Sequence, residues 1–315
     1  MENNYSKYYA SYPTPAEVDA WIEEIHADAE KADFKAEPQG AFLPASFGQF
    51  HNPGCLIKFE RDGHVYYGVW QGKYATNGAH PSSAPLLVQL PGYGAELSCH
   101  YDVASRGYNL LQLSPLGYWT PEGFNESLKK DGNWPVFPDT IRTGAKGGYR
   151  EWLLDVVCAV KWAWKQALVI PDRVSFYGTS QGGGTSLLMG SIFAGRGTAC
   201  VCADEPFLTD YPMAAFRGAY SVAQSGYLDV INASGDENKA WHALGFADSI
   251  CHAHRMQYPV LLTAGGKDDV CPPETVESLY ERLPHTRSIT YLHQHPHGYN
   301  VDFIKLACAW FELYA

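Results

Sequence analysis

Gly178-Thr179-Ser180-Gln181-Gly182 places a serine at the centre of a G-x-S-x-G pentapeptide. Val174-Ser175-Phe176-Tyr177 before it is β-branched and aromatic and reads as a strand. Gly183, Gly184 and the apolar run Leu187-Leu188-Met189 after it read as the start of a helix. A serine on such a strand-turn-helix elbow is held in a strained backbone conformation that exposes Oγ. The first N–H groups of the following helix stand beside it, where they can stabilise an oxyanion. The flanking glycines fit this reading, because a Cβ there would collide with the adjacent strand or helix. The implied chemistry is nucleophilic attack on an acyl carbon.

A serine hydroxyl is a weak nucleophile until a base takes its proton, and the base must be oriented by a third group. Both partners are expected past later strands, in the order serine, acid, histidine. Val260-Leu261-Leu262-Thr263-Ala264 is strand-like and leads into Gly265-Gly266-Lys267-Asp268-Asp269, so one of these two aspartates is the candidate acid. Ile289-Thr290-Tyr291-Leu292 leads into His293-Gln294-His295-Pro296-His297-Gly298, where three histidines compete. His293 stands closest to the strand, where it can point into packing, and His295 precedes a proline that restricts its backbone. His297 is farthest along the loop, with a glycine after it that leaves room for the turn into the last helix, and it is the candidate base. For the oxyanion, the candidate N–H donors are Gln181 and Tyr93. Tyr93 lies in Pro91-Gly92-Tyr93-Gly94, directly after the strand-like Leu86 to Leu90, and its flanking glycines would let its N–H face the site.

The elements that must position these residues alternate. The stretches at 86–90, 109–113, 174–177, 199–203, 260–264 and 288–292 are short apolar strands. Helical patterns lie between and after them, notably Tyr149 to Ala167, with Trp152, Leu153, Val156, Val157, Val160 and Trp164 on one face, and Val301 to Leu313. Continuous rather than alternating apolar strands predict a mostly parallel central sheet covered by helices on both faces, an α/β fold. Ahead of it, Thr14-Pro15-Ala16-Glu17 opens a predicted helix with Val18, Trp21, Ile22 and Ile25 at helical spacing. Runs at 56–59 and 64–70 follow, joined through Asp62-Gly63 as a hairpin. We expect one domain over 1–315, with residues 1–80 as an N-terminal helix and β extension and 117–148 and 207–255 as insertions near the site. Aromatics in the insertions (Trp119, Phe124, Trp134, Phe137; Phe216, Tyr220, Tyr227, Trp241) either line a pocket or pack the insertions onto the body, the second being expected for most of them.

The 315 residues are 46% hydrophobic with a net charge of −11 and no basic run, so nothing marks a nucleic-acid or membrane surface. The sequence shows no spanning apolar stretch and no apolar leader, and a cytoplasmic protein is expected. Its eight cysteines show no CxxC pair and read as buried reduced thiols, and the spacing of Cys200, Cys202 and the histidines does not support a metal site.

Several segments together resemble the acetyl xylan esterase / cephalosporin-C deacetylase family, carbohydrate esterase family seven of the α/β-hydrolase superfamily. They are Gly92-Tyr93-Gly94, Arg106-Gly107-Tyr108, Gly178 to Gly184, Pro206-Phe207-Leu208-Thr209-Asp210 and Asp268-Asp269-Val270-Cys271-Pro272-Pro273-Glu274-Thr275-Val276. The resemblance runs from the N-terminal helix almost to the last residue. It implies an α/β-hydrolase fold, Ser180, Asp268 and His297 as triad, and the Tyr93 and Gln181 N–H groups as oxyanion donors. It selects Asp268 over Asp269. It further implies deacetylation of xylo-oligosaccharides or similar small acetylated molecules, no cofactor and no metal, and a homo-oligomer. Tyr108 stands where the family has glutamine, and Gly298 where it has glutamate. The alternatives are a general carboxylesterase, a feruloyl-type esterase or a peptidase on the same fold, and, from a different class, a non-catalytic carbohydrate-binding relative.

Overall fold

The computed structural model describes residues 4–42, 54–72, 83–97, 103, 105–219 and 227–315. After a short 3-10 helix at Asn4–Ser11, helix α1 (Pro15–Lys31) starts at Thr14, whose side chain and that of Glu17 cap each other's backbone N–H. Strands β1 (Phe34–Phe42), β2 (Gly54–Arg61) and β3 (His64–Gln71) form an antiparallel meander. Then come β4 (Ala84–Gln89), β5 (Asn109–Ser114), the two-residue strands β6 (Trp119–Thr120) and β7 (Gly123–Phe124), and helices α2 (Val136–Thr143) and α3 (Tyr149–Ala163). The elbow joins β8 (Val169–Thr179) to α4 (Gln181–Ile192), and β9 (Thr198–Asp204) follows. Four short helices occupy the next segment: α5 (Tyr211–Phe216), α6 (Tyr227–Ala233), α7 (Glu237–Gly245) and α8 (Ser249–His252). The chain ends with β10 (Val260–Gly265), α9 (Pro273–Arg282), β11 (Arg287–Leu292) and α10 (Val301–Tyr314).

Among the described residues, nine strands make one sheet in the order β1-β2-β3-β5-β4-β8-β9-β10-β11, parallel from β5 to β11 and antiparallel before it. This is the mostly parallel sheet of an α/β-hydrolase fold. Its inner strands are rich in buried apolar residues because helices cover both faces: all six residues of β10 and all twelve of α4 are buried. Burial of Leu187, Leu188, Met189 and Ile192 in α4 contributes roughly 1.5–3 kcal/mol each.

Most insertion aromatics serve packing. Trp119, Trp134, Phe137 and Trp241 are buried, and Tyr118 stacks on Trp134 with ring centroids 4.4 Å apart. Phe124 and Phe216 are exposed, and Tyr220 lies outside the described residues. The segment at 34–42 had no strand signal. Its residues are half-buried or exposed on the sheet edge, and Pro38 and Gly40 sit at a break in register, so no alternating pattern marks it.

Candidate active site

Ser180 sits between β8 and α4 at φ 58°, ψ −123°, a conformation costly for any non-glycine residue, of order 1–3 kcal/mol. Backbone bonds on both sides hold it there. Its N–H donates to the Asp204 carbonyl at 2.8 Å, while its own carbonyl accepts from Gly184 at 3.0 Å and from Phe207 at 2.9 Å. The glycines around it are required by space. A Cβ on Gly178 would stand 2.5 Å from the Leu90 carbonyl oxygen, one on Gly182 2.1 Å from the same atom, and one on Gly184 1.7 Å from the Phe207 carbonyl oxygen.

The ends of three parallel strands converge on the hydroxyl. Asp268 lies past β10, with Oδ1 accepting the N–H groups of Val270 (2.8 Å) and Cys271 (2.7 Å). Those two bonds leave Oδ2 to face His297 Nδ1 at 2.8 Å. On the opposite side of the ring, His297 Nε2 stands 2.8 Å from Ser180 Oγ. Burial opposes a charge on this imidazole, but the Asp268 carboxylate and the Cys271 thiol outweigh it and raise His297 above the ordinary histidine value. The competing residues do not enter: Asp269 is exposed, and His293 is exposed and stacked on Tyr291. His295 turns back on the loop, its Nε2 3.1 Å from the Gly298 carbonyl.

Gln181 begins α4, where helix geometry leaves its N–H without an intrahelical acceptor. Its side chain is held elsewhere, accepting from the Tyr149 hydroxyl at 2.7 Å, so only its backbone is offered to the site. Tyr93 lies past β4 and ties its loop to the insertion at 117–148, its hydroxyl accepting the Trp134 N–H at 3.0 Å. Space does not demand the glycines beside Tyr93. A Cβ on Gly92 would make an ordinary 3.7 Å contact, and one on Gly94 would meet nothing within 4 Å among the described residues. A cavity of about 160 Å³ opens beside this loop, lined by Tyr93, Asn133, Trp134, Phe137, Arg142 and Val230 among others.

Three groups escaped the sequence reading. Asp204, at the end of β9, accepts from Thr179 at 2.8 Å and from Thr263, cross-linking β8, β9 and β10 beneath the site, and burial pushes its carboxyl up to about 6. Glu205 follows it, fully buried. The thiol of Cys271 completes a group with Asp268 and His297 whose ligand atoms lie within 4.8 Å of one another. A metal ion there would occupy the same Nδ1 and Oδ2 that pair with each other, so it would compete with that arrangement. The one signal for Glu205 was an Asp-Glu-Pro step directly after an apolar strand.

The family model for acetyl xylan esterase (AXE1) matches residues 71–313, more than half of the chain. The chain belongs to the acetyl xylan esterase family. As a member it is a carboxylic ester hydrolase on the α/β-hydrolase fold. Among solved structures, acetyl xylan esterase 1 from Thermoanaerobacterium sp. JW/SL YS485 superposes with a TM-score of 0.79 at 22% identity, covering 96% of this chain and 95% of that one. The acetyl xylan esterase from Paenibacillus sp. R4 gives 0.76 at 19% identity over 98% and 99%. Est1E from Butyrivibrio proteoclasticus gives 0.56 at 13% over 80% and 95%. At these identities the likenesses speak for the fold, and the two acetyl xylan esterases match nearly end to end.

Proposed function

We propose that this acetyl xylan esterase family member deacetylates small acetylated saccharides, xylo-oligosaccharides foremost, by two-step acyl transfer through Ser180, His297 and Asp268. Ser180 Oγ attacks the acetyl carbonyl while His297 Nε2 takes its proton, and Asp268 holds the imidazolium that forms. The N–H groups of Tyr93 and Gln181 stabilise the oxyanion. Collapse of that intermediate expels the sugar hydroxyl, which regains a proton from His297 and leaves acetyl-Ser180. Water, activated by the same histidine, then releases acetate and restores the serine. The observation that carries this reading is the unbroken line from Oδ2 of Asp268 through both ring nitrogens of His297 to a strained Ser180, two contacts of 2.8 Å each. The raised basicity of His297 acts in the same direction, since it favours the imidazolium.

Hydrolysis of acetylated xylo-oligosaccharide and of p-nitrophenyl acetate, compared with butyryl and feruloyl esters and a peptide amide, tests the reading. We expect acetyl esters to turn over fastest and Ser180→Ala to fall at least 1,000-fold, on the order of the loss from removing a triad member. Activity retained in Ser180→Ala would rule out the triad, and preference for the feruloyl ester or the amide would rule out the substrate.

A further inference from the structure

Glu205 is the least explained group near the reacting atoms. It follows β9 at φ +42°, a left-handed backbone that glutamate seldom adopts, and this turn carries its side chain into the interior. The residue is fully buried. Its Oε2 accepts the Gly298 N–H at 3.0 Å and lies 3.6 Å from His297 Nδ1. Its Oε1 lies 3.6 Å from His295 Nε2 and has no hydrogen-bond partner among the described residues. A buried carboxylate with an unpaired oxygen is costly, and a single N–H anchor does not call for one, because a neutral amide oxygen would serve equally well. What a carboxylate adds is charge on the Nδ1 side of the imidazole.

We propose that Glu205 is a second acid toward His297, a positioning residue that shares the Nδ1 side of the ring with Asp268 and holds the imidazolium when Asp268 is removed. This rests on the triad reading above. At 3.6 Å the contact is electrostatic rather than a hydrogen bond, so Asp268 remains the primary partner. The groups facing Glu205 are Asp204 on its own element, Asp268 past β10, and His295, His297 and the Gly298 N–H on the loop after β11. Cys271 stands behind Asp268. Burial, followed by the charges of Asp204 and Asp268, pushes the Glu205 carboxyl up to about 7, against the pull of the Gly298 N–H and His295. Neutralising Asp268 removes one of the charges that oppose ionisation of Glu205. The second acid is therefore strengthened by the loss of the first.

The test is a cycle of four proteins: wild type, Glu205→Gln, Asp268→Asn and the double variant. kcat and KM are measured on p-nitrophenyl acetate at pH 8. Glutamine keeps an oxygen for the Gly298 N–H, so folding is preserved, and thermal melts check it. We expect Glu205→Gln to lower kcat less than about 10-fold in the wild-type background with KM unchanged, and at least 10 times more strongly in the Asp268→Asn background. Glu205→Asp, which keeps the charge, should retain more of the Asp268→Asn activity than Glu205→Gln does, giving a second readout should glutamine prove destabilising. An equal factor in both backgrounds, or no measurable activity in Asp268→Asn alone, would overturn the proposal. Neither result touches the triad reading, which fails separately if Ser180→Ala stays active.

Discussion

Gly182→Ala tests whether the elbow and the oxyanion loop form one mechanical unit. The added Cβ would stand 2.1 Å from the Leu90 carbonyl oxygen, 2.9 Å from the Leu90 carbonyl carbon and 3.0 Å from that of Pro91. Ordinary contact begins near 3.4 Å, so the two backbones must part by more than 1 Å. All three atoms are backbone, and no side chain can rotate out of the way. The Leu90 carbonyl is also tethered, since it accepts from the Gln89 side chain at 3.1 Å and the Leu90 N–H donates to Tyr177 at 3.0 Å. The shift therefore passes either into Pro91-Gly92-Tyr93 or into the first turn of α4, and in each case one of the two proposed N–H donors leaves its place. Overpacking of this kind costs about 1–3 kcal/mol of stability. Losing one oxyanion donor lowers kcat by about 10²–10³, equivalent to roughly 2.7–4 kcal/mol. The assay is kcat on p-nitrophenyl acetate alongside a thermal melt, with Gly94→Ala as control, because its Cβ meets nothing within 4 Å among the described residues. We expect Gly94→Ala to keep kcat within about threefold. A folded Gly182→Ala whose kcat also stays within threefold would refute the coupling, even if its melting temperature fell.

Two further outcomes concern stability. The Arg61 side chain is 7% exposed and pairs with the fully buried Asp155 at 2.7 Å, while Asp155 also accepts the Leu116 N–H at 2.9 Å. Asp155→Ala should cost about 3–5 kcal/mol in urea unfolding with kcat per folded molecule unchanged, and a loss below about 1 kcal/mol would contradict it. His252 is fully buried between Ser191 and the Phe246 carbonyl, and burial lowers its pKa to about 4. The unfolded chain therefore takes up a proton near pH 6.5 that the folded state refuses. This contribution to stability is complete above pH 6.5, falls as pH drops toward 4, and amounts to about 3 kcal/mol. Unfolding free energies of wild type and His252→Gln, measured from pH 7.5 to 4.5, should show a shallower decline in the variant, and parallel curves would refute it.

The centre of the sheet was legible because its inner strands β4, β9 and β10 are buried on both faces. Leu86 to Leu90, Ala199 to Ala203 and Val260 to Ala264 are apolar runs interrupted by Gln89 and Thr263, and each coincides with a strand of the sheet. β1 was not legible, since an edge strand with exposed residues, a proline and a glycine carries no periodic signal. Helices α5 to α8 were read only as an insertion, being four to nine residues long and fixed by tertiary contacts such as those of Asp248 with the Asp210 and Tyr211 N–H groups. At the site, chain order narrowed the acid to Asp268 or Asp269 past one strand, and the family resemblance selected Asp268. His297 stood out from three histidines past the next strand for its place farthest along the loop before a glycine. Glu205 could not be found that way. Its meaning depends on Gly298, 93 residues further on, being folded back onto it with φ +143°.

These contacts divide the site into two parts of different firmness. Ser180 is pinned through backbone bonds to Asp204, Gly184 and Phe207, and its helix presses on the end of β4, which leads to Tyr93. The proposed nucleophile and oxyanion donors thus share one backbone framework, so damage there should lower stability and turnover together. His297 arrives differently, on a loop after the last strand. It is held by the Asp268 carboxylate, by the Gly298 N–H on Glu205 and by the turn His295 makes onto Gly298. Few apolar contacts back these bonds, because His293, Gln294, Pro296 and Tyr299 are all exposed. A loop of this kind opens at lower free energy than the strands beneath it. Two carboxylates converging on it therefore do more than set the charge of the ring: they supply the anchorage that packing does not.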